Sequence, residues 1–328
     1  MTGVLIIGGA GMIGVKLARR LIADGALAGK PVGRLTLVDI VVPAMPEGAP
    51  FKIETRAADL SQLGAADLVV ASRPDVIFHL AAVLSGESEA DFDKGYRVNI
   101  DGTRLLFEAI RKVGDGYRPR LVFTSSIAVF GAPFPDAIGD DFFATPLTSY
   151  GTAKAIGELL LSDYTRRGFM DGIGIRLPTI CVRPGKPNKA ASSFFSGIIR
   201  EPLAGEEALL PVPESVRHWH ATPRSAVNFL VHAAGLDGAK VGPRRNLSMP
   251  GVSVTVGGQI EALRRIAGDR VAKRIKPVPD PVIMKIVEGW PRNFAPTRAI
   301  ELGFQAERSF DDIIRIHIDD ELGGTWVK

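Results

Sequence analysis

The sequence predicts an α/β protein in which a doubly wound parallel sheet is joined to a smaller, irregular C-terminal lobe. Three observations carry that expectation. Short β-rich runs alternate with amphipathic helical stretches through the first half. A glycine-rich turn, Gly8-Gly9-Ala10-Gly11-Met12-Ile13-Gly14, lies directly between the first apolar run and the first helical stretch. From Pro178 to Pro213 prolines and glycines become denser and the strand–helix rhythm breaks.

The elements follow in order. Residues 4–7 form the first strand. Residues 12–23 place Ile13, Leu17 and Leu21 at helical spacing and form the first helix. A second strand over 35–38 ends at Asp39, and a proline-rich loop over 43–50 leads to a third at 52–56. Residues 75–79 make a fourth, buried strand. An amphipathic helix covers 99–113, a fifth strand 120–124, a long helix 150–166 and a sixth strand 173–176. Further helices are expected near 192–203, 223–236, 255–267 and 310–322. Residues 1–177 then form the ligand-binding sheet domain. Residues 178–328 form mainly a substrate lobe, completing a cleft at the carboxyl ends of the strands.

Composition excludes several functions. The 40 basic and 36 acidic residues are spread along the chain without a basic run, so nucleic acid is not an expected partner. The single cysteine, Cys181, cannot form an intrachain disulfide and suits a reducing compartment. The N-terminal apolar run lacks a charged leader and meets glycines at once, so it reads as a strand and not a signal peptide. No run approaches the ~18 apolar residues of a membrane helix. The cytoplasm is the expected location, with no membrane partner.

The turn fits two glycine templates. Gly9, Gly11 and Gly14 give G-x-G-x-x-G, and Gly8, Gly11 and Gly14 give G-x-x-G-x-x-G. Glycine is needed where backbone approaches a pyrophosphate and where helix meets strand. The first-turn amides at Met12 and Ile13, with the positive helix end, suit the phosphates of a dinucleotide. Asp39 closes the second strand, where a carboxylate accepts hydrogen bonds from ribose hydroxyls and repels a 2′-phosphate. The residues after it, Ile40, Val41 and Val42, include no arginine, so the expected cofactor is NAD and not NADP. Asp59 and Leu60 after the third strand suit an adenine contact; a helix cap explains Asp59 equally well.

Tyr150 and Lys154 are four apart and share one helix face. An ammonium fixed beside a phenol favours the phenolate and moves a group with a free pKa near ~10 toward acid–base work. Ser126, at the end of the fifth strand, completes a catalytic group. Tyr150 takes a hydroxyl proton as hydride leaves the same carbon, Lys154 binds nicotinamide ribose hydroxyls, and Ser126 orients the reacting oxygen.

These residues resemble the extended short-chain dehydrogenases/reductases, the NAD-dependent epimerase/dehydratase family. The shared motifs are GGAGMIG at 8–14, Asp39, Asp59-Leu60, His79-Leu80-Ala81-Ala82, Asn99 with Gly102-Thr103, TSSIAVFG at 124–131 and Tyr150-Gly-Thr-Ala-Lys154. The resemblance implies a Rossmann fold, NAD contacts at Ala81 and Asn99, the serine role at Ser126 and a homodimer. His79 then reads as a structural residue at a strand end.

Two departures bear on the substrate. Thr179 stands where nucleotide-sugar members carry an asparagine, in Arg176-Leu177-Pro178-Thr179. Arg217 is kept in a stretch, Arg217 to Arg224, that loses the family's acidic and His-Val positions. One retained arginine suits a small carboxylate, although a surface arginine explains it as well. With the 176–188 and 216–229 stretches, the pattern looks like the D-erythronate dehydrogenase branch. It implies oxidation of a four-carbon sugar acid to its 2-keto acid. Thr179 and Arg217 are the expected substrate contacts, together with Ser126, Tyr150 and Ser85 of the Ser85-Gly86-Glu87 loop. His218, Trp219 and His220 lack a third ligand at recognisable spacing, so no metal is expected. A nucleotide-sugar epimerase or dehydratase that keeps its NAD is the alternative within the fold, and a non-catalytic NAD sensor the alternative outside it.

Overall fold

The main sheet has seven parallel strands, joined one to the next by crossover connections. In spatial order they are Asn246–Ser248, Asp171–Leu177, Arg120–Ser126, Val76–His79, Thr2–Ile7, Lys30–Asp39 and Lys52–Ala57. A two-residue piece, Ala26–Leu27, pairs antiparallel with the start of Lys30–Asp39. The order reverses between Thr2–Ile7 and Val76–His79, the switch point at which open α/β sheets bind ligands. Val4 to Ile7 are all buried, so both faces of the first strand are covered. Leu5 and Ile7 pack with Ile77, Leu121 and Phe123 against Leu106, Phe107 and Ile110 of the helix Gly102–Val113. Val4 and Ile6 point to the opposite face by the alternation of a strand.

This computed structural model describes residues 1–185 and 191–328. Lys186, Pro187 and Asn188, which end the 176–188 stretch, lie outside the described residues. The chain divides into two compact units. One holds Met1–Val129, Thr148–Leu177 and Val227–Ser248; the other holds Phe130–Leu147, Pro178–Ala226 and Met249–Lys328. The single cut after residue 177 expected from the proline-rich composition is thus too simple. Asn246–Ser248 joins the parallel sheet beside Asp171–Leu177 and brings residues 227–248 into the first unit. Ile138–Gly139 pairs with Phe294–Ala295 inside the second.

The second unit has its own core. Phe195, Ile198, Ile199 and Leu203 of the helix Ser193–Leu203 pack with Leu263 of Val256–Ala267 and with Ile313 and Ile314 of Phe310–Leu322. Its three-stranded sheet sets Arg217–Ala221 between Thr179–Ile180 and Val252–Thr255. The last helix begins with a capping box from Ser309 and Asp312, which satisfies its first amides.

Candidate active site

The glycine turn is shaped by contacts inside the first unit. The amides of Gly8 and Gly9 both donate to the Val38 carbonyl, at 2.8 and 3.0 Å, folding the turn onto the neighbouring strand. Gly8 has φ +92°, and a Cβ there would lie 2.8 Å from the Ala81 amide nitrogen. At Gly14 a Cβ would lie 2.2 Å from the Gly8 carbonyl oxygen. Both positions demand glycine on the protein's own account. Gly11 does not: it is exposed, and its nearest clash is a 3.4 Å contact with the same oxygen. Its bare backbone leaves room for a ligand. It precedes the helix Met12–Asp24, which has no side-chain cap and no acidic residue in its first turn. Such a helix start favours negative charge at the amides of Met12 and Ile13, as expected for a phosphate site.

Asp39 is tied to this turn. Its carboxylate accepts from the Ala10 amide at 3.0 Å and from the Ile40 amide at 2.7 Å. A carboxylate has further lone pairs for ribose hydroxyls. The residues present fit a dinucleotide. The bond to Ala10 joins positions far apart in sequence, and no motif announces it.

The remaining cofactor candidates are more committed. The Asp59 carboxylate accepts from the Ser61 amide at 2.9 Å and its hydroxyl at 2.6 Å, which is a turn cap. Leu60 is buried in the core with Ala66, Val69 and Leu106. Asn99 is buried; it accepts from the Val83 amide at 2.8 Å and donates to the Val83 carbonyl at 3.0 Å. It anchors the segment after the Val76–His79 strand, in which the Ala81 amide donates to the Ile7 carbonyl. Ser85 does not sit in a loop as expected. It opens a short helix, Ser85–Ala90, in which the Ser88 amide closes on the Leu84 carbonyl.

The residues expected to carry acid–base work lie where the strand Arg120–Ser126 meets the helix Ser149–Arg166. Thr148 caps that helix by accepting from the Gly151 amide at 3.0 Å. Ser126 Oγ accepts from the Ala128 amide at 3.1 Å, keeping its hydroxyl proton to donate. The turn Ile127–Val129 that follows it packs against the Ser149–Arg166 helix. Lys154 is buried, its Nζ donating to the Thr124 carbonyl at 2.8 Å. The same nitrogen is 4.9 Å from the centroid of the Phe123 ring and 5.7 Å from that of Tyr150. Burial drives the Lys154 pKa down to about 8, and the Glu158 carboxylate works against that fall. Lys154 and Tyr150 are thus held together beside the strand that ends at Ser126. Nearby, His79 Nε2 pairs with Thr103 Oγ1 at 2.9 Å, and burial lowers its pKa to about 3.

Sequence reasoning passed over Glu158. It is buried, one further helical step along from Lys154. It accepts from Ser125 Oγ at 2.5 Å and from Arg176 Nε and Nη2 at 2.9 and 2.7 Å. The i, i+4, i+8 spacing from Tyr150 was the available signal.

Thr179 and Arg217 belong to the second unit. Thr179 Oγ1 and His218 Nε2 are 2.6 Å apart, and burial lowers the His218 pKa to about 4. His220 Nε2 faces Gln259 Nε2 at 3.0 Å. Arg217 is exposed at the start of the central strand, with Nη1 3.4 Å from the Ser253 carbonyl and 3.5 Å from Ser253 Oγ. Trp219 is buried and donates to the Met249 carbonyl. Among the described residues, no helix is long and apolar enough to cross a membrane.

The profile of the NAD dependent epimerase/dehydratase family matches residues 4–221. The chain belongs to this family. It is 50% identical to a D-erythronate dehydrogenase of Cupriavidus necator, over 97% of this chain and 98% of that protein. A D-erythronate dehydrogenase of Haemophilus influenzae is 40% identical, over 97% and 99%. A crystal structure described as a nucleoside-diphosphate-sugar epimerase from Agrobacterium tumefaciens superposes with TM-score 0.97 at 64% identity, covering 99% of this chain and 95% of that one. L-threonine 3-dehydrogenase from Trypanosoma brucei shares the fold, with TM-score 0.86 at 23% identity. NAD is the cofactor, and the chain is an NAD-dependent dehydrogenase.

Proposed function

We propose that the chain oxidises a hydroxyl of a small sugar acid, of the D-erythronate type, to its 2-keto acid with NAD. The substrate class is supported by the two relatives named D-erythronate dehydrogenases, each matched over nearly its whole length. The mechanism rests on one observation: a desolvated ammonium, Lys154, pinned to the Thr124 carbonyl with the Tyr150 ring beside it.

When bound, NAD supplies a hydride acceptor. The backbone at Gly8, Gly11, Met12, Ile13 and Gly14 holds its pyrophosphate, Asp39 and Asp59 its adenosine end, and Lys154 and Tyr150 the nicotinamide ribose. Leu60 and Asn99 act through the segments they anchor, which include Ala81. Ser126 donates its hydroxyl proton to the substrate oxygen and orients it. Tyr150, as phenolate, takes the hydroxyl proton at its phenolic oxygen as the C–H bond gives up hydride. Lys154 stabilises that phenolate. Arg217, exposed and only loosely held, binds the carboxylate, and Thr179 meets a substrate hydroxyl with a neutral His218 behind it. Ser85 completes the substrate side, and the enzyme works as a homodimer.

A nucleotide-sugar epimerase is the second reading, favoured by the description of the Agrobacterium structure. Thr179 and the altered stretch after Arg217 weigh against it. Purified chain with free NAD and a panel of aldonic acids should produce NADH absorbance. Silence there with turnover of a UDP- or dTDP-sugar would transfer the assignment to the epimerase.

A further inference from the structure

We propose that Glu158 is a positioning residue for the reaction: its buried carboxylate, shared with Arg176 and Ser125, is the counter-charge that keeps Lys154 an ammonium beside Tyr150. This rests on the Tyr150–Lys154 mechanism above and extends it by one residue along the same helix face.

The geometry ties the three consecutive residues Thr124, Ser125 and Ser126 to three separate tasks. The Thr124 carbonyl accepts from Lys154, the Ser125 hydroxyl donates to Glu158, and Ser126 is the substrate-orienting hydroxyl. Glu158 is 4% exposed, and burying a carboxylate is costly unless hydrogen bonds and nearby cations compensate it. It has both: the Ser125 bond and a two-point grip from Arg176.

The titratable and charged groups around Lys154 are few. Tyr150 and Glu158 lie on its own helix, Arg176 lies behind Glu158 on the strand Asp171–Leu177, and His79 ends the strand Val76–His79. His79 is neutral over the working range, and the Phe123 ring supplies only its face. Burial pushes the Lys154 proton off, and Glu158 holds it on. Arg176 draws on the same carboxylate; without it the Ser125 bond and the Lys154 ammonium still hold Glu158, and Lys154 then feels that charge more strongly. The two residues should therefore shift Lys154 in opposite directions, which a merely structural ion pair would not do.

The test uses the full chain and two readouts. One is the pH profile of kcat/KM with NAD and D-erythronate. The other is the phenolate absorbance titration without NAD, taken as the difference from Tyr150→Phe. Burial moves Tyr164 up to about 12 and Tyr117 higher still, clear of the step of interest. Glu158→Gln should move the alkaline limb of the profile down by about one pH unit and the Tyr150 step up toward ~10. Arg176→Gln should move the alkaline limb up. Limbs unshifted in both variants, with Tyr150→Phe inactive, overturn the role of Glu158 alone. Near-normal turnover by Tyr150→Phe overturns the mechanism and this inference with it. Should Glu158→Gln fail to fold, Arg176→Gln decides: a limb unmoved or moved down overturns the proposal.

Discussion

Lys154 and Arg217 are both cations assigned to the reaction, and their surroundings are opposites. Lys154 is 4% exposed, pinned by a 2.8 Å bond to a strand carbonyl and bounded by aromatic rings. Arg217 is exposed, and its contacts to Ser253 are 3.4 and 3.5 Å long. A charge that must alter the acidity of a neighbour gains from desolvation and from having one position. A charge that must capture a carboxylate needs donors an incoming ligand can reach, and an exposed guanidinium fork offers them. Substitution should therefore affect kcat at the first site and KM at the second.

The largest effect is expected at the phenol. Tyr150→Phe should lower kcat by roughly 10²–10⁴ while NAD affinity and thermal midpoint stay near wild type. Lys154→Met should lower kcat by about 10², and its pH profile should lose the limb near 8. Gly14→Ala should destabilise the chain by about 1–3 kcal/mol and weaken NAD binding, because the new Cβ meets the Gly8 carbonyl. Calorimetry with and without NAD separates those two losses. Arg217→Gln should raise KM for the acid about tenfold with kcat nearly unchanged, and move stability by less than about 0.5 kcal/mol. If kcat fell as much as it does in Lys154→Met, the contrast between the two cations would be broken.

Acid stability is a separate effect, read in the fold and not in turnover. Burial lowers the pKa values of His79 and His218 to about 3 and about 4, and that of His220 well below its ordinary value. The unfolded chain binds these protons from about 6.5 downward while the folded chain refuses them. Stability should be full above pH 6.5 and fall progressively as pH drops toward 4. A thermal midpoint that stays flat from pH 6.5 to 5 would contradict this.

Much of the first unit was legible because its signals are local. Glycines, a strand-end aspartate and a four-residue Tyr–Lys spacing each occupy short windows whose chemistry follows from geometry. The strands expected at 4–7, 35–38, 52–56, 75–79, 120–124 and 173–176 all form, mostly longer than expected. The strand Asn246–Ser248 was not legible, because three residues carry no period and their burial comes from pairing with Asp171–Leu177. The helix Ser85–Ala90 was hidden by its small, polar residues. The bonds Asp39–Ala10 and Glu158–Arg176 and the Thr179–His218 contact join residues distant in sequence, and no spacing rule reaches them.

The central claim is tested most directly by the initial rate of NADH formation from NAD and D-erythronate, measured side by side for the natural chain and Tyr150→Phe. The account predicts steady NADH production by the first and a loss of at least about a hundredfold in the second, at equal NAD binding. Equal rates in the two proteins, or no NADH from the natural chain across the aldonic acids, would contradict it.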